Sequence, residues 1–112
     1  MIVLVKKNKG KKRQVDKTHS VTNFITKDFS KNVSLVLVNA KNHTATTKSV
    51  KNDRIYYVLN GKLKVKYKNN LRTAVSGDII FIPRKTLYTL SGTFRAITIN
   101  SPAFDIKYER SK

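Results

Sequence analysis

Apolar and polar residues alternate along much of this chain with a period of two, which is typical of β-strands that bury one face. In residues 62–68 four lysines alternate with Leu63, Val65 and Tyr67, so one face of this strand is predicted to be solvated and the other buried. No long stretch has the helical period. Segments rich in Val, Ile, Phe, Tyr and Thr predict further strands at 2–5, 33–38, 55–59, 79–82 and 94–99.

Turn signals separate these strands. Asn60-Gly61 is the dipeptide most typical of a two-residue hairpin turn, and further signals are Asn69-Asn70, Ser76-Gly77-Asp78 and Ser91-Gly92. Short strands with such frequent turns predict an all-β sandwich or barrel. Residues 55–59 and 79–82 are apolar on both faces. We therefore expect a second sheet or the partner of a homodimer to cover their outer side, where Tyr57 would pack.

The size and composition of the chain exclude several classes of protein. A length of 112 residues predicts one domain with a single core. The chain has no cysteine, so disulfides and thiolate metal sites are excluded. The apolar start, residues 1–5, is too short for a signal peptide, and no segment approaches the roughly 20 apolar residues that span a bilayer. We expect a cytoplasmic protein without a membrane partner.

The net charge of +18, from 24 Lys and Arg against 6 Asp and Glu, would attract nucleic acid or other anions. The codon bias of an A/T-rich genome is an alternative explanation of the many lysines. It does not explain why Glu109 is the sole glutamate. Residues 6–13 contain six basic residues and form either a phosphate-gripping arm or, in our preferred interpretation, a solvated hairpin loop between the first two strands.

Two segments resemble the motifs of the cupin superfamily, G(x)5HxH(x)3,4E(x)6G and G(x)5PxG(x)2H(x)3N. They are residues 54–61, RIYYVLNG, and residues 77–83, GDIIFIP, with 15 residues between Gly61 and Gly77. The resemblance implies a single-domain jelly-roll β-barrel, the double-stranded β-helix of cupins. It covers residues from about 20 to 106, so the domain 1–112 would consist of a basic N-terminal strand and arm, 1–19, and a barrel core, 20–106.

The metal ligands of these motifs are absent. Arg54 stands at the glutamate position, and Tyr88 stands at the histidine position of the second motif. The two histidine positions of the first motif fall on Thr47 and Ser49, or in the other register on Lys48 and Val50. Because a cationic arginine repels a divalent ion, we predict no metal and no cofactor at this place.

The histidines of the chain do not replace the missing ligands in this interpretation. His19 and His43 are too separated in sequence to be recognised as a local ligand pair. His43 lies in the polar stretch KNHTATT and is predicted to occupy a loop. A shifted motif that recruits His43 is the less favoured alternative.

The resemblance directs the side chain of Arg54 into the barrel, and the alternation places Tyr56 on the same face. It also brings Thr47, Ser49 and Tyr88 toward the same cavity. Such a set, without a carboxylate base, suits a clamp for an anion, because guanidinium binds carboxylate or phosphate bidentately. In the alternative interpretation Arg54 pairs with Asp53, Asp78 or Asp105, or stacks on a tyrosine.

Three functions compete. The leading hypothesis is a metal-independent protein that binds a small anionic molecule, a carboxylate, phosphate or sugar nucleotide, in the barrel. The second is a metal-free sugar isomerase or epimerase, similar to some cupins, with Tyr56 or Tyr88 as acid; whether the chain is an enzyme stays open, because no histidine base aligns. The third is binding of nucleic acid or another polyanion through the basic surface, which is less favoured because aromatics do not interleave with the basic runs.

Overall fold

The computed structural model describes residues 2–111. Its architecture is an antiparallel β-barrel, and the predicted all-β fold class is confirmed. The strands of the described residues are β1 Lys11–Gln14, β2 His19–Ile25, β3 Ser34–Ser49, β4 Asp53–Tyr67, β5 Asn70–Ala74, β6 Ile79–Ile82, β7 Tyr88–Ser101 and β8 Glu109–Ser111, with short 3-10 helices at Lys7–Lys9 and Ile106–Tyr108. None of the helical segments in this part of the chain is long and apolar enough to span a bilayer.

Three long strands form the centre of the sheet, in the order β3, β7, β4. β2 and β8 pair with the two halves of β3, and β6 and β5 pair with the two halves of β4. Tyr88 and Asn100 lie toward opposite ends of β7, yet both side chains contact Arg54. The sheet therefore folds back on itself, so that the two halves of each long strand face one another across the interior.

Two glycines make this bend possible near the middle of the paired strands β4 and β7. Gly61 has a φ of +81°, and a Cβ built on it would lie 2.2 Å from the carbonyl oxygen of Thr93. Gly92 has a φ of +121°, and its Cβ would lie 2.3 Å from the carbonyl oxygen of Lys62. The ladder between the two strands shifts register between Val58 and Asn60. These features are those of a β-bulge, at which only a residue without a side chain permits so close an approach.

The interior has an apolar and a polar part. The buried apolar side chains include Val38, Val58, Leu63, Leu90, Phe94 and Ala96. The buried polar side chains include Ser34, Ser49, Asn52, Arg54, Thr98 and Asn100. Buried polar groups need hydrogen-bond partners inside the protein, so the polar part must contain a network. The candidate site lies there.

The strand predictions are partly confirmed. Residues 79–82 form β6 as predicted, whereas the predicted strands at 55–59 and 63–67 are parts of the single strand β4. The hairpin predicted at Asn60-Gly61 is therefore wrong, because the left-handed backbone of Gly61 serves the bulge instead of a turn. The strand predicted at 2–5 is also wrong, since these residues have no regular structure.

Other sequence signals had mixed outcomes. The turn at Lys68 and Asn69 joins β4 to β5, and Ser76 and Gly77 form a turn as predicted. Ser91-Gly92 lies within β7, so that turn prediction is wrong. The lysines of 62–68 are exposed as predicted, but Tyr67 is exposed too and does not enter the core.

Both ends of the chain differ from expectation. Residues 6–13 contain the helix Lys7–Lys9 and the start of β1, so this basic run is not the loop between the first two strands. That loop is formed by residues 15–18. At the other end, β8 pairs with residues 47–49 of β3, and the sheet thus continues beyond residue 106.

Candidate functional site

Arg54 is the centre of the polar part of the barrel. It lies on β4 between Asn100 of β7 and Ile82 of β6, and it is 6% exposed. Its guanidinium donates three hydrogen bonds: Nε to Asn100 Oδ1 at 2.6 Å, Nη1 to Tyr88 OH at 2.9 Å and Nη2 to Glu109 Oε1 at 2.8 Å. Each of its nitrogens has a partner, so the side chain is fixed in direction.

Glu109 is the carboxylate that the sequence analysis missed at this place. It begins β8, where it is opposite Ser49 of β3, and its side chain is buried. The alternative in which Arg54 pairs with Asp53, Asp78 or Asp105 is therefore wrong. Two features of the sequence point to Glu109. It is the sole glutamate of a very basic chain, and it lies in the polar stretch that follows residue 106.

The three aspartates proposed as partners of Arg54 have other roles. Asp53 pairs with Arg84 at 3.2 Å, and Asp105 pairs with Lys27 at 3.3 Å. Asp78 accepts a hydrogen bond from the backbone N–H of Val75 at 2.9 Å, which closes a turn. The side-chain hydrogen bond from Arg84 holds the pKa of Asp53 below its ordinary value.

Two tyrosines lie beside the guanidinium. The hydroxyls of Tyr56 and Tyr88 are 2.7 Å apart, and their rings meet edge to face with centroids 6.5 Å apart. Burial, followed by the neighbouring Tyr88, raises the pKa of Tyr56 well above its ordinary value. Burial lowers the pKa of Arg54, but Tyr56, Tyr88 and Glu109 outweigh it and the net pKa is raised. The site therefore combines a fixed ion pair, Arg54 and Glu109, with the hydroxyls of two tyrosines.

Two asparagines, also missed, connect Ser49 to Arg54. Ser49 Oγ donates to Asn52 Oδ1, and Asn52 Nδ2 donates to Asn100 Oδ1 at 2.5 Å. Asn100 Oδ1 thus accepts from both Asn52 and Arg54. Asn100 could have been found from the alternation, because it lies two residues beyond Thr98 on the inner face of β7.

Of the five site residues expected from the sequence, the structure joins four in one hydrogen-bonded network: Ser49, Arg54, Tyr56 and Tyr88. Thr47 is the Cα partner of Tyr88 and so lies on the same face. Its side chain is half-buried and outside the network of the described residues.

Some polar atoms of this region have unused hydrogen-bonding capacity. Glu109 Oε2 and Thr98 Oγ1 are buried and have no hydrogen-bond partner within residues 2–111. Thr98 is the Cα partner of Tyr56, so both atoms belong to the surroundings of the network. Buried polar groups without partners are rare in folded proteins, and they are expected where a ligand or water completes the site.

A groove of about 360 Å³ adjoins the network. Asn52 belongs to both. The groove is lined by Lys27, Asp28, Lys31, Lys51, Asn52, Pro102, Ala103, Asp105 and Tyr108. Lys51 Nζ lies 4.3 Å from the centroid of the Tyr108 ring, and its hydrogen bond, together with the charges of Lys107 and Lys51, lowers the pKa of Tyr108. The groove, with three lysines and two aspartates, is therefore a charged approach to the buried network.

The histidines form a second cluster. His43 lies in β3 and is buried, so its predicted loop position is wrong. The centroids of the His19 and His43 rings are 4.1 Å apart, although the two residues are distant in sequence. Burial and, to a smaller extent, His19 lower the pKa of His43. Neither histidine belongs to the hydrogen-bonded network around Arg54.

Residues 2–103 match the family model described as ethanolamine utilisation protein EutQ. The chain belongs to the EutQ family. No curated protein matches the chain. Among solved structures, the EutQ protein of Clostridium difficile is 24% identical with a TM-score of 0.70, over 90% of this chain and 75% of that chain.

Two further solved structures are similar in fold. Pac13, described as a nucleoside dehydratase, is 18% identical with a TM-score of 0.85, over 100% of this chain and 92% of that chain. An RmlC-like cupin of Shewanella frigidimarina is 15% identical with a TM-score of 0.77, over 90% of this chain and 91% of that chain. The family match and these structures confirm the resemblance to the cupin superfamily.

Proposed function

We propose that this protein binds a small anionic molecule, a carboxylate, phosphate or sugar nucleotide, in the polar part of the barrel and without a metal. The observation that carries the proposal is the buried guanidinium of Arg54 in contact, through Asn100 and Asn52, with a groove lined by three lysines and two aspartates. The net charge of +18 raises the local concentration of anions around the protein, and a desolvated guanidinium binds them strongly.

Glu109 occupies the position that the anion of a ligand would take. Its Oε1 accepts from Arg54 Nη2 at 2.8 Å, and its other oxygen has no partner within the described residues. β8, which holds Glu109, is a strand of three residues that pairs with an edge of β3. A strand of three residues at the edge of the sheet separates at lower free energy than the core strands, so a ligand can displace the carboxylate and take over its contact with Arg54.

Binding can be tested by isothermal titration calorimetry with small carboxylates, inorganic phosphate, sugar phosphates and sugar nucleotides. Glu109→Gln removes the competing charge, so the variant should bind the anion about 10-fold more tightly than the wild type. The double variant Arg54→Met/Glu109→Gln, which leaves no unpaired charge in the interior, should lose at least roughly 100-fold in affinity.

Arg84→Ala is the matched control, because it removes an exposed arginine whose partner is the exposed Asp53. It should bind the anion as the wild type does. Equal affinity of the wild type and the Arg54→Met/Glu109→Gln variant would contradict the proposal. Binding of heparin alone, equal in all variants and lost steeply with salt, would instead place the anion site on the basic surface.

A second candidate function is proton transfer on a sugar or nucleoside. It is favoured by the hydroxyl pair of Tyr56 and Tyr88 beside Glu109, whose unpartnered oxygen supplies the base that the sequence analysis did not find. Pac13 variants in which a tyrosine or a histidine is substituted have been solved with uridine. His43 and Tyr56 are separated by the same number of residues as the substituted histidine and one of these tyrosines, which supports nucleosides as substrates to test.

The test is turnover of uridine derivatives and sugar nucleotides, together with exchange of their carbon-bound hydrogen in deuterium oxide. Tyr88→Phe should lower turnover by about 10²- to 10⁴-fold while the affinity changes little. Thr46→Val serves as control, since its hydroxyl pairs with that of Thr89 on the other face of the sheet. The absence of both turnover and exchange in the wild type would contradict this candidate.

A further inference from the structure

A second cluster of chemically active side chains, Asp16, His19 and His43, lies outside the network around Arg54. A ligating atom of each lies within 4.8 Å of those of the other two, and it is the one such group of three among residues 2–111. We propose that these residues bind a divalent transition-metal ion of the Zn²⁺ class. Two imidazoles and a carboxylate are a ligand set that such ions accept. The proposal does not depend on the function assigned to Arg54.

The cluster is built by the fold from two distant segments. His19 begins β2 and is the Cα partner of Ala40, close to the register shift of β3 that precedes His43. His43 is 5% exposed and cannot turn away into solvent without local opening. The two rings therefore lie side by side with their centroids 4.1 Å apart. This rigid placement of two imidazoles is the part of the site that the sheet enforces.

Asp16 is held with one oxygen toward the histidines. Its Oδ1 accepts from the backbone N–H groups of Thr18 and His19, at 2.7 and 3.0 Å, and from the hydroxyl of Thr18 at 2.7 Å. Its Oδ2 lies 3.0 Å from His19 Nδ1. That nitrogen is buried, and apart from this ion-pair contact it has no hydrogen-bond partner among residues 2–111.

The separation of these two atoms agrees with shared coordination. Ligand atoms bound tetrahedrally at about 2.0–2.1 Å lie roughly 3.3 Å from one another. The 3.0 Å between Asp16 Oδ2 and His19 Nδ1 is close to this value, so little movement is needed for both to bind one ion. A metal ion that replaces the proton between these two atoms would bind both of them as ligands.

The hydrogen bonds also indicate which nitrogen of neutral His43 carries the lone pair. Thr18 donates its single hydroxyl hydrogen to Asp16 Oδ1. At 2.8 Å from His43 Nδ1, the same hydroxyl oxygen must therefore accept the hydrogen of that nitrogen. In neutral His43 this leaves the lone pair on Nε2. A hydrogen bond at the other ring nitrogen is the usual way in which proteins orient a metal-binding histidine.

The surroundings of the cluster allow a metal ion to enter and limit the affinity for it. His19 lines an open groove of about 340 Å³, which also contains Lys17, Lys41 and Arg95. These cations weaken binding of every divalent ion. Imidazole nitrogens favour Zn²⁺, Ni²⁺ and Cu²⁺ over Mg²⁺ and Ca²⁺, so the two histidines make the site selective for transition metals.

None of the three residues stands at a ligand position of the cupin motifs, which fall on Thr47, Ser49, Arg54 and Tyr88 in this chain. The proposed site thus uses the bend between the two halves of the barrel instead of the polar network. Substitutions in one place should leave the other intact.

The experiment is calorimetric titration of the tag-free, chelator-treated protein with ZnCl₂ and MgCl₂, and spectroscopy of the Co²⁺ form. One equivalent of Zn²⁺ should bind, Mg²⁺ should not, and Co²⁺ should give the intense visible bands of tetrahedral coordination. His19→Gln and His43→Gln should each lower the Zn²⁺ affinity at least 100-fold. Asp16→Asn, which keeps the Oδ1 contacts of the loop, should lower it about 10-fold or more.

Asp53→Asn is the control, because it removes a carboxylate that pairs with Arg84 and is not a member of the cluster, and it should leave Zn²⁺ binding unchanged. Circular dichroism confirms that each variant is folded, and His19→Ala, at the partly exposed position, replaces His43→Gln if the latter fails to fold. A wild-type protein without stoichiometric Zn²⁺ binding, or binding retained in both His19 variants, would overturn the proposal.

Discussion

The side chains of Arg54 and Glu109 form an ion pair in the barrel interior although 55 residues separate them in sequence. The Nη2 and Oε1 atoms are 2.8 Å apart, and the two side chains are only 7% and 8% exposed. Removal of one partner of a buried pair leaves an uncompensated charge, which is far more unfavourable than the loss of an exposed ion pair. In the absence of a ligand, the pair therefore holds β8 against the barrel.

This relationship predicts strong coupling between the two substitutions. Arg54→Met should lower the free energy of unfolding by about 3–5 kcal/mol, because Glu109 is then buried without its cation. In Arg54→Met/Glu109→Gln the loss should be smaller than the sum of the two single losses, by roughly 1–3 kcal/mol. Urea unfolding followed by circular dichroism measures all four proteins. Additive losses would show that the two side chains do not interact in solution.

The burial of Tyr56 predicts a dependence of stability on alkaline pH. Its pKa is raised above the ordinary value of 10.0, so the folded protein favours the neutral phenol. The stabilisation by the buried neutral phenol is complete below pH 10. It is lost as the pH rises from 10 toward the pKa of the folded state, because in this range only the unfolded chain releases the proton. The stability difference between wild type and Tyr56→Phe should change by up to about 1.4 kcal/mol per pH unit above pH 10.

Urea unfolding between pH 8 and 11 measures this difference. Tyr57→Phe is the matched control, since it removes an exposed hydroxyl from the neighbouring residue of the same strand. It should follow the wild type throughout this range. A constant difference between wild type and Tyr56→Phe across pH 10 would show that the phenol is accessible to solvent.

The same substitution, glycine to alanine, should destabilise the protein by different amounts at Gly61 and at Gly77. Gly61 and Gly77 have similar φ angles of +81° and +91°, but only at Gly61 would a Cβ meet backbone atoms, whereas nothing lies within 4 Å at Gly77. Gly77→Ala should therefore cost only the conformational strain, about 1–2 kcal/mol. Gly61→Ala should cost about 1–3 kcal/mol more because β4 and β7 must separate. Equal losses in thermal unfolding would mean that the bend adjusts freely.

The sequence predicted the barrel better than its bends. Period two in residues 62–68 and the apolar run 79–82 were sufficient to predict strands, because local alternation reports which face is buried. The pair Asn60-Gly61 does not distinguish a hairpin turn from a bulge, since the positive φ of glycine suits both equally. Local sequence gives the backbone conformation that is allowed, and only the partner strand decides whether the chain turns or continues.

The candidate site was predictable where it follows the alternation and not where it depends on distant segments. Arg54 and Tyr56 lie on the inner face, as their spacing required. Glu109 was missed because β8 has only three residues and its place is fixed by pairing with the edge of β3. The sequence does not pair His19 with His43, because the two are distant along the chain. The fold brings their rings side by side.

The outer face of β4 and β6 predicts an interface between two copies of this chain. Ile79 and Phe81 of β6 are 66% and 58% exposed, and Tyr57 lies beside Ile79 in the sheet. Exposed apolar side chains in adjacent strands form a continuous patch of the kind that a partner covers. We expect a homodimer, with twice the mass of the 12.8 kDa chain by light scattering.

Phe81→Lys should convert this dimer to a monomer, because a lysine in the patch would be buried without a partner and would add to a chain that is already strongly cationic. Leu71→Lys is the matched control, since Leu71 is 57% exposed but lies on β5, which pairs with the other half of β4. It should remain a dimer. A monomeric wild type at micromolar concentration, or a dimer that only Leu71→Lys disrupts, would show that the face of β6 is not the interface.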